Sequence, residues 1–239
     1  MKIITETALR DRYKNDKFES FVLNKGEKLT PAAAQFLTDR RIRVQNNDHA
    51  VLPKEGYICL PSGSRVMKKP EHYTHLRGNV LVPKCHPAIK FRGQLDLLES
   101  NFIVCINQVI SAGYQEMADE LNDIFLYLQQ IMKAEVRDKP LPFIEFKGWS
   151  DADIREYSHH PEKYFGVRHA PPDPKYGVLY GELNKLRAMI RQLEIMAVEA
   201  FCSEGEEQCE RFDIILALNR LSSLVYIIVC KFIGGHYKV

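Results

Sequence analysis

The stretch Lys68–Asn79, "KKPEHYTHLRGN", combines residue types that can bind an anion or a metal ion. Two lysines precede a proline, two histidines follow at an H-x-x-H spacing, and an arginine comes next. No apolar period of two or about 3.6 residues runs through the stretch, so we predict a loop. Ammonium, guanidinium and hydroxyl donors suit phosphate oxygens, whereas imidazoles suit a transition metal. The loop is therefore a candidate site for a polyanion first and for a metal second.

A second group of polar residues shares one face of a helical segment. Arg187, Arg191 and Glu194 are spaced i, i+4 and i+7, which places them on the same side of a helix. Such a face can bind an anion, or it can be an exposed face whose charges pair along the helix. Asp96, in an earlier helical segment, could pair with an arginine across a bundle. The spacing alone leaves these interpretations open.

Polar side chains also follow one face of the most apolar segment, at Asn219, Ser222, Ser223 and Tyr226. Burying such a stripe costs free energy unless each polar group is hydrogen-bonded. The stripe is therefore either a satisfied network between helices or part of a ligand site. The phosphate-binding motifs GxxxxGK[ST] and GxGxxG do not occur in the sequence, so a phosphate site would depend on lysines, hydroxyls and loop amides.

These residues require a scaffold of long helices. Apolar residues recur with a helical period in four segments, 88–111, 117–131, 179–193 and 218–228. We predict a mainly α, up-and-down bundle of four to five long helices. An irregular insert, residues 146–177, separates the second helix from the third, and Ser150 is the predicted N-cap of a short helix within it.

The remainder of the chain is divided by its composition. Residues 1–55 are predicted to form a small N-terminal α/β appendage, in which Thr30 caps a helix with Pro31 at its first position. Within it, 42–53 are predicted to form a short hairpin. Residues 56–87 are predicted to be a loop-rich connector, and 88–239 to be the helical bundle.

Charge and cysteine usage exclude several classes of protein. Lysine and arginine total 33 and aspartate and glutamate total 31, so the formal charge of +2 argues against a general nucleic-acid-binding surface. The first residues lack the apolar region of a secretory signal, and polar residues interrupt the apolar segment 214–233, which favours a buried helix over a membrane span. The six cysteines include no C-x-x-C pair, so we predict reduced thiols in a cytoplasmic protein.

Several motifs resemble those of ATP:cob(I)alamin adenosyltransferases. The motifs "ITETALRDRY", "LTPAAAQFL", "KKPEHYTHL" and "LALNRLSSLVY" resemble, in this order, the ethanolamine-utilisation branch of these enzymes. The stretch "VPKCHPAIKFRGQLDLLES" and the R-x3-R-x2-E pattern of Arg187–Glu194 resemble the related propanediol-utilisation type. The resemblance covers nearly the whole chain. It implies transfer of the 5′-deoxyadenosyl group of ATP to the cobalt of cob(I)alamin, which gives adenosylcobalamin and triphosphate, in ethanolamine utilisation.

The resemblance also implies roles for the residues at matching positions. The implied catalytic residues are Arg187, Arg191, Asp96 and Glu194, with Asp96 pairing with Arg187. The residues implied to bind ATP, with Mg²⁺, are Lys68, Lys69, Thr74, His75, Lys84 and Asn219. An aromatic residue of the insert is implied to replace the lower axial ligand of cobalamin, and the candidates are Tyr164, Phe165 and Tyr176.

The same resemblance implies partners and a location. It implies a homotrimer that binds its small-molecule substrates, ATP and cobalamin, with ATP held across a subunit interface. A reductase and a B12-dependent enzyme are the expected protein partners, and neither nucleic acid nor a membrane is expected. The expected location is the cytoplasm, with association with a bacterial microcompartment through the N-terminal residues.

Two positions depart from the family pattern. Glu99 stands where the family has asparagine. Many members of the ethanolamine branch carry a histidine followed by a "CCxxC" cluster before "KKP", but here that stretch holds only Cys59. A tetrahedral thiolate site needs three or four ligands, so no tightly bound iron or zinc is expected.

Two other functions remain compatible with the sequence. His72, His75, Cys85 and His86 form an H-x2-H-x9-C-H array that could bind zinc. A non-catalytic bundle could instead bind cobalamin or act as a scaffold for a partner. A ferritin-like di-metal site is excluded, because it needs two Glu-x-x-His pairs and the single such pair, at Glu156, falls in the insert.

Overall fold

The computed structural model describes residues 2–15, 18, 20–23, 27–46, 56–169, 172–202 and 209–239, which form two units, 1–56 and 57–239. The elements of the N-terminal unit are β1 (Lys2–Ile4), α1 (Glu6–Asn15), β2 (Ser20–Leu23), β3 (Glu27–Leu29), α2 (Pro31–Asp39) and β4 (Arg43–Asn46). Strand β1 pairs with β3 and β2 pairs with β4, both in parallel. Apolar residues of both helices, Leu9 and Phe36 among them, form a buried cluster of their own.

The N-terminal unit is the α/β appendage that the sequence predicts. Thr30 Oγ1 accepts a hydrogen bond from the Ala33 amide at 3.2 Å, and Pro31 lies in the first turn of α2, so the predicted cap is confirmed. The first arm of the predicted hairpin is a strand, and this strand, β4, pairs in parallel with β2. The predicted turn begins at Asn46, and the rest of it and the second arm, 47–53, lie outside the described residues, so the hairpin stays a prediction.

A four-stranded sheet begins the second unit. Its strands are β5 (Tyr57–Cys59), β6 (Ser64–Val66), β7 (Tyr73–Arg77) and β8 (Val80–Pro83), in the spatial order β6-β5-β8-β7. Strands β7 and β8 form an antiparallel hairpin that turns at Gly78, whose φ is +53°. The prediction of a loop over Lys68–Asn79 is therefore wrong for its second half. Because β7 is an edge strand with mostly polar side chains, no apolar alternation marks it in the sequence.

Helices make up most of the second unit. They are α3 (Pro87–Ser111), α4 (Gln115–Arg137), α5 (Asp151–His159), α6 (Pro161–Phe165), α7 (Gly177–Phe201) and α8 (Phe212–Ile233). The four long helices coincide with the four predicted segments, and their apolar stripes form one buried core. In α4, for example, Met117, Leu121, Ile124, Leu128 and Ile131 are all fully buried. The predicted mainly α fold with an α/β appendage is confirmed.

Two helices of this unit bear on further predictions. Ser150 and Asp153 form a capping box at the start of α5, which confirms the short helix in the insert. Helix α8 is long and apolar enough to cross a membrane by length and composition. Its apolar side chains, Leu218, Leu221 and Val225 among them, are nevertheless buried in the bundle core.

The cysteines differ from the prediction of reduced thiols. Cys202 and Cys209 form a disulfide that links the end of α7 to the chain before α8, with their Cα atoms 4.3 Å apart. The chain reversal between two antiparallel helices brings them together, which their spacing does not indicate. Cys59, Cys105 and Cys230 are free and buried, and Cys85 is free and exposed.

Candidate active site

An open pocket of about 510 Å³ lies between α7, α8 and the insert, which contributes residues of α5 and of the chain after α6. The lining residues are Ser158, His159, His169, Pro172, Tyr180, Asn184, Arg187, Arg191, Ser222, Ser223, Tyr226 and Val229. Two guanidinium groups and two imidazoles are thus present without a carboxylate in the described lining. Such a pocket favours a ligand with negative charge.

Arg187 and Arg191 reach this pocket from α7, as their shared face predicts. Arg187 is half-buried, and its Nε donates a hydrogen bond to Asn184 Oδ1 at 3.1 Å. Arg191 is exposed to the pocket. In the described parts of the chain, no ion pair joins either guanidinium to a carboxylate. The two arginines therefore do not form the ion pairs along the helix that their spacing also allows. Both groups retain donors for a ligand.

Glu194, the third residue of that face, has a different partner. Its Oε1 accepts a hydrogen bond from Asn219 Nδ2 of α8 at 3.0 Å. Asn219 Oδ1 in turn accepts from Arg220, which pairs with Asp151 of α5. Asn219 therefore belongs to a satisfied network between helices, one of the two alternatives. Arg220 is only 8% exposed, and sequence reasoning did not identify it as a member of this network.

The rest of the polar stripe on α8 lines the pocket. The hydroxyls of Ser222 and Ser223 donate to the Asn219 carbonyl oxygen at 2.8 and 3.4 Å, which leaves their lone pairs available as acceptors. The Tyr226 hydroxyl is 2.7 Å from His169 Nδ1 of the insert. Burial raises the pKa of Tyr226, so the hydroxyl stays protonated. His169 was missed in the sequence, because its partner lies on a distant helix.

The structure does not pair Asp96 with Arg187. Asp96 is exposed on α3, and no ion pair to Arg187 exists within the chain, although both residues are described. The prediction that the two residues meet across the bundle is therefore wrong for a single chain. The face of α3 that carries Asp96 is directed away from the core, since the neighbouring Leu95 and Leu98 take the buried positions.

The residues implied to bind ATP through the loop lie in and around the sheet. Lys68 and Lys84 are exposed, Thr74 is half-buried, and Lys69 Nζ donates to the Tyr73 carbonyl oxygen at 3.2 Å. His75 Nδ1 donates to the Gly78 carbonyl oxygen at 3.0 Å. None of these side chains lines the pocket described above.

A buried ion pair fixes this sheet to one end of the bundle. Arg92 of α3 pairs with Glu135 of α4, and its Nη2 also donates to the Leu76 carbonyl oxygen of β7 at 2.9 Å. Next to Arg92, the ring of Phe91 packs on Phe201, with ring centroids 5.2 Å apart. Arg191 precedes Phe201 by ten positions along α7, which corresponds to roughly 15 Å of helix. One chain therefore does not bring the sheet residues to the pocket arginines.

The three aromatic candidates for the cobalamin site also lie outside the pocket lining. The Tyr164 hydroxyl donates to Glu156 Oε1 at 3.0 Å, and Tyr176 packs on Tyr180 with centroids 5.1 Å apart. Phe165 packs edge-on against His236, with centroids 5.9 Å apart. Tyr180, next to Tyr176, does line the pocket. The geometry does not select one of the three.

The histidines of the predicted zinc array have other partners. His75 is bonded to Gly78, and His86 Nδ1 accepts the Ala88 amide at 3.2 Å as the N-cap of α3. Burial, together with the charge of Arg92, lowers the pKa of His86, which favours the neutral imidazole. Across the described ranges, no three His, Cys, Asp or Glu side chains are grouped to hold a metal ion.

Comparisons with known proteins agree with the resemblance of the motifs. The family model "Cobalamin adenosyltransferase" matches residues 66–232, and the model "Corrinoid adenosyltransferase EutT N-terminal domain" matches residues 3–51. The corrinoid adenosyltransferase EutT of Salmonella typhimurium is 29% identical over 253 residues, covering 98% of this chain and 93% of the relative. The Escherichia coli K12 protein of the same name is 30% identical over 246 residues, covering 95% and 90%. No solved structure matches the chain significantly.

Proposed function

Because the chain belongs to the cobalamin adenosyltransferase family, we propose that it transfers the 5′-deoxyadenosyl group of ATP to the cobalt of cob(I)alamin. The observation that carries the proposal is the pocket in which Arg187 and Arg191 lie without a carboxylate in the described lining. Guanidinium groups in that position can bind the charge that develops on departing triphosphate. The match of residues 3–51 to the EutT N-terminal domain supports a role in ethanolamine utilisation.

The reaction needs no nucleophile from the protein, because cob(I)alamin is itself the nucleophile. The electron pair of cob(I)alamin forms the cobalt–carbon bond, while the C5′–oxygen bond breaks and its electrons leave with triphosphate. The protein then has to hold cobalt in line with C5′ and to stabilise the leaving group. Arg191 has no carboxylate partner among the described residues, and it is the residue that binds triphosphate, together with Mg²⁺ brought by ATP.

The other residues of the proposed site have supporting roles. Arg187, held by Asn184, forms the pocket wall next to the phosphates. Glu194 and Asn219 join α7 to α8, so they position Arg191 and do not contact substrate. An aromatic side chain of the insert, Tyr164, Phe165 or Tyr176, occupies the lower face of the corrin ring.

We further propose that each site is completed by a neighbouring subunit of a homotrimer. Lys68, Lys69, Thr74, His75 and Lys84 bind ATP, but in one chain the sheet region that carries them is attached beside Phe201, roughly 15 Å along α7 from Arg191. Asp96 is exposed and unpaired, so it is available to meet Arg187 of the partner subunit. Both observations support a site shared between chains. The separate N-terminal unit is the candidate for microcompartment association of a cytoplasmic enzyme.

Mixing two inactive variants tests the shared site. Arg191→Ala and the double variant Lys68→Ala/Lys69→Ala should each lose activity. When they are unfolded, mixed and refolded together, hybrid trimers should regain part of the activity, because some interfaces then combine two intact halves. Refolding each variant alone is the control. Absence of recovery, with hybrid trimers verified by mass spectrometry, would contradict the shared site.

An anaerobic assay tests the reaction. The purified protein is mixed with MgATP and chemically reduced cobalamin, and the spectrum of the corrin is followed as the cobalt–carbon bond forms. Adenosylcobalamin and triphosphate are expected in equal amounts. A non-catalytic cobalamin-binding or scaffold protein would give no conversion and would not bind MgATP in a calorimetric titration.

A further inference from the structure

We propose that the C-terminal tail, residues 234–239, is a positioning element that sets the wall of the candidate active site. The proposal rests on the proposed adenosyl transfer at the pocket lined by Arg187 and Arg191. It assigns a role to a buried cluster of charges that the reaction itself does not use. The tail acts on the corrinoid side of the site through a short segment of the insert.

The tail is anchored by a buried carboxylate. Tyr237 is 6% exposed, and its hydroxyl donates a hydrogen bond to Glu120 Oε2 of α4 at 2.6 Å. Glu120 is 3% exposed, and its other oxygen pairs with the ammonium groups of Lys147 and Lys231. A carboxylate buried with this many partners is costly to disturb, because removing one partner leaves charge without compensation. The tail therefore has a fixed position.

From this anchor the tail contacts the insert at one carbonyl group. His236 Nε2 donates to the Phe165 carbonyl oxygen at 3.2 Å, and the two rings pack edge to face. At Gly234 the backbone comes so close that an added Cβ would lie 2.5 Å from the same oxygen. The Phe165 carbonyl oxygen thus lies between the His236 donor and the backbone of Gly234. This close approach is possible because Gly234 has no side chain.

Phe165 begins a strap, residues 165–169, that ends at the pocket. The strap turns at Gly166, whose φ is +67°, and finishes at His169, which is hydrogen-bonded to Tyr226. His169 and Tyr226 both line the pocket. Only three residues separate Phe165 from His169, so we expect a displacement of the Phe165 carbonyl to move His169. Since Phe165 is also a candidate for the lower face of the corrin ring, the tail should affect cobalamin more than ATP.

Two substitutions perturb the strap without touching the pocket. Gly234→Ala should push the Phe165 carbonyl aside by steric contact, and His236→Phe should keep an aromatic ring but remove the donor. His236→Gln restores an N–H donor on a flexible chain. Lys238→Ala, at an exposed tail position, is the matched control. Each protein is assayed for kcat, for KM of cob(I)alamin and of ATP, and for Tm.

We expect Gly234→Ala and His236→Phe to raise the KM for cob(I)alamin about fivefold, the effect of one hydrogen bond, and to leave the KM for ATP within about twofold. His236→Gln should recover part of the loss. Tm should stay near the wild-type value in His236→Phe and fall in Gly234→Ala, where the new Cβ meets a backbone oxygen. Parallel losses in both KM values and in Tm for His236→Phe would overturn the proposal, since they show a merely structural tail. Unchanged kinetics in both variants would also overturn it, while a loss of activity in Arg191→Ala would keep the proposed function intact. If Arg191→Ala has no effect either, the pocket assignment fails as well.

Discussion

The Asn219 side-chain amide donates a hydrogen bond to Glu194 Oε1 at 3.0 Å, and this bond joins α8 to α7 one turn of helix from Arg191. The sequence places these two residues on different helices, and the structure joins them in one contact between the helices. Their contact orients the segment of α7 that presents Arg191 to the pocket. Its contribution can be measured separately from catalysis.

A double-mutant cycle on this pair should show a modest coupling. Asn219→Ala and Glu194→Ala each remove one partner of an exposed hydrogen bond with a charged acceptor, so we expect a coupling of about 0.5–1.5 kcal/mol in urea melts. Activity should fall less than in Arg191→Ala, because we propose that these two residues act by positioning Arg191. A coupling near zero would show that the bond does not persist in solution.

Arg191→Ala should reduce kcat/KM strongly and leave stability unchanged. The guanidinium has no carboxylate partner in the described chain, so its loss removes a charge-assisted contact to triphosphate worth roughly 1.5–3 kcal/mol, about ten- to a hundredfold in rate. Arg191→Lys should recover part of this, because charge is kept and the bidentate fork is lost. Arg137→Ala, at the exposed end of α4, is the control. Equal losses in both alanine variants would contradict the assignment.

Glu135→Ala should destabilise the protein far more than Asp138→Ala. Both carboxylates pair with arginines next to β7, but Glu135 is 1% exposed whereas Asp138 is 56% exposed. Removing Glu135 takes away the carboxylate partner of a largely buried guanidinium, which keeps only its hydrogen bonds to two carbonyl oxygens of β7. We expect a cost of about 3 kcal/mol, while an exposed pair contributes roughly 0–1 kcal/mol. Urea melts of the two variants give the comparison. Similar midpoints would show that the Arg92–Glu135 pair contributes no more to stability than the exposed pair.

The loss of folding stability at acid pH should depend in part on Asp213. Burial alone would raise the pKa of Asp213, but hydrogen bonds from Arg211 and from the Leu141 amide, with the Arg211 charge, hold it below its usual value. The folded state therefore gains stability above pH about 4, the pKa region of an unfolded aspartate, and loses it as the pH falls further. Asp213→Asn should be less stable than the wild type at pH 6.

The difference between the two proteins should shrink as the pH is lowered from about 4, since the wild-type carboxyl then becomes protonated. The measurement is the free energy of unfolding in urea at a series of pH values. Asp123→Asn, at an exposed position on α4, is the control. Two curves that stay parallel down to pH 2 would contradict a lowered pKa for Asp213.

Activity should survive removal of transition metals once Mg²⁺ is restored. The stretch before Lys68 contains only Cys59, and Cys59 is buried in β5. Dialysis against a chelator, followed by addition of MgATP, should therefore return the original rate. One zinc or iron per chain in elemental analysis, lost together with activity, would contradict this and would renew interest in His72 and Cys85.

The long helices could be predicted from the sequence because their signal is local and repeated. In α4, five apolar residues recur at the helical period, and all five are buried. The caps at Thr30 and Ser150 were predictable for the same reason, since a cap involves residues three positions apart.

The contacts that shape the site could not be predicted in this way. Arg220 and Tyr226 of α8 bond to Asp151 and His169 of the insert, which are far from them in the sequence. Strand β7 gave no apolar alternation because it is a polar edge strand, and the Cys202–Cys209 pair depends on a chain reversal between helices. The pairing of Asp96 with Arg187 is not formed within one chain, because Asp96 lies on the exposed face of α3, and matching motifs do not show which side chains meet.

The attachment of β7 to the bundle has a consequence for hydrogen exchange. Edge strands usually open locally, so their amides exchange quickly. Here Arg92 donates to the carbonyl oxygens of His75 and Leu76 while it pairs with Glu135. Opening the strand then requires breaking both of these hydrogen bonds, so the amides of β7 should exchange more slowly than those of the other edge strand, β6. A segment that is already ordered would lose little conformational entropy on binding the nucleotide that we propose it holds.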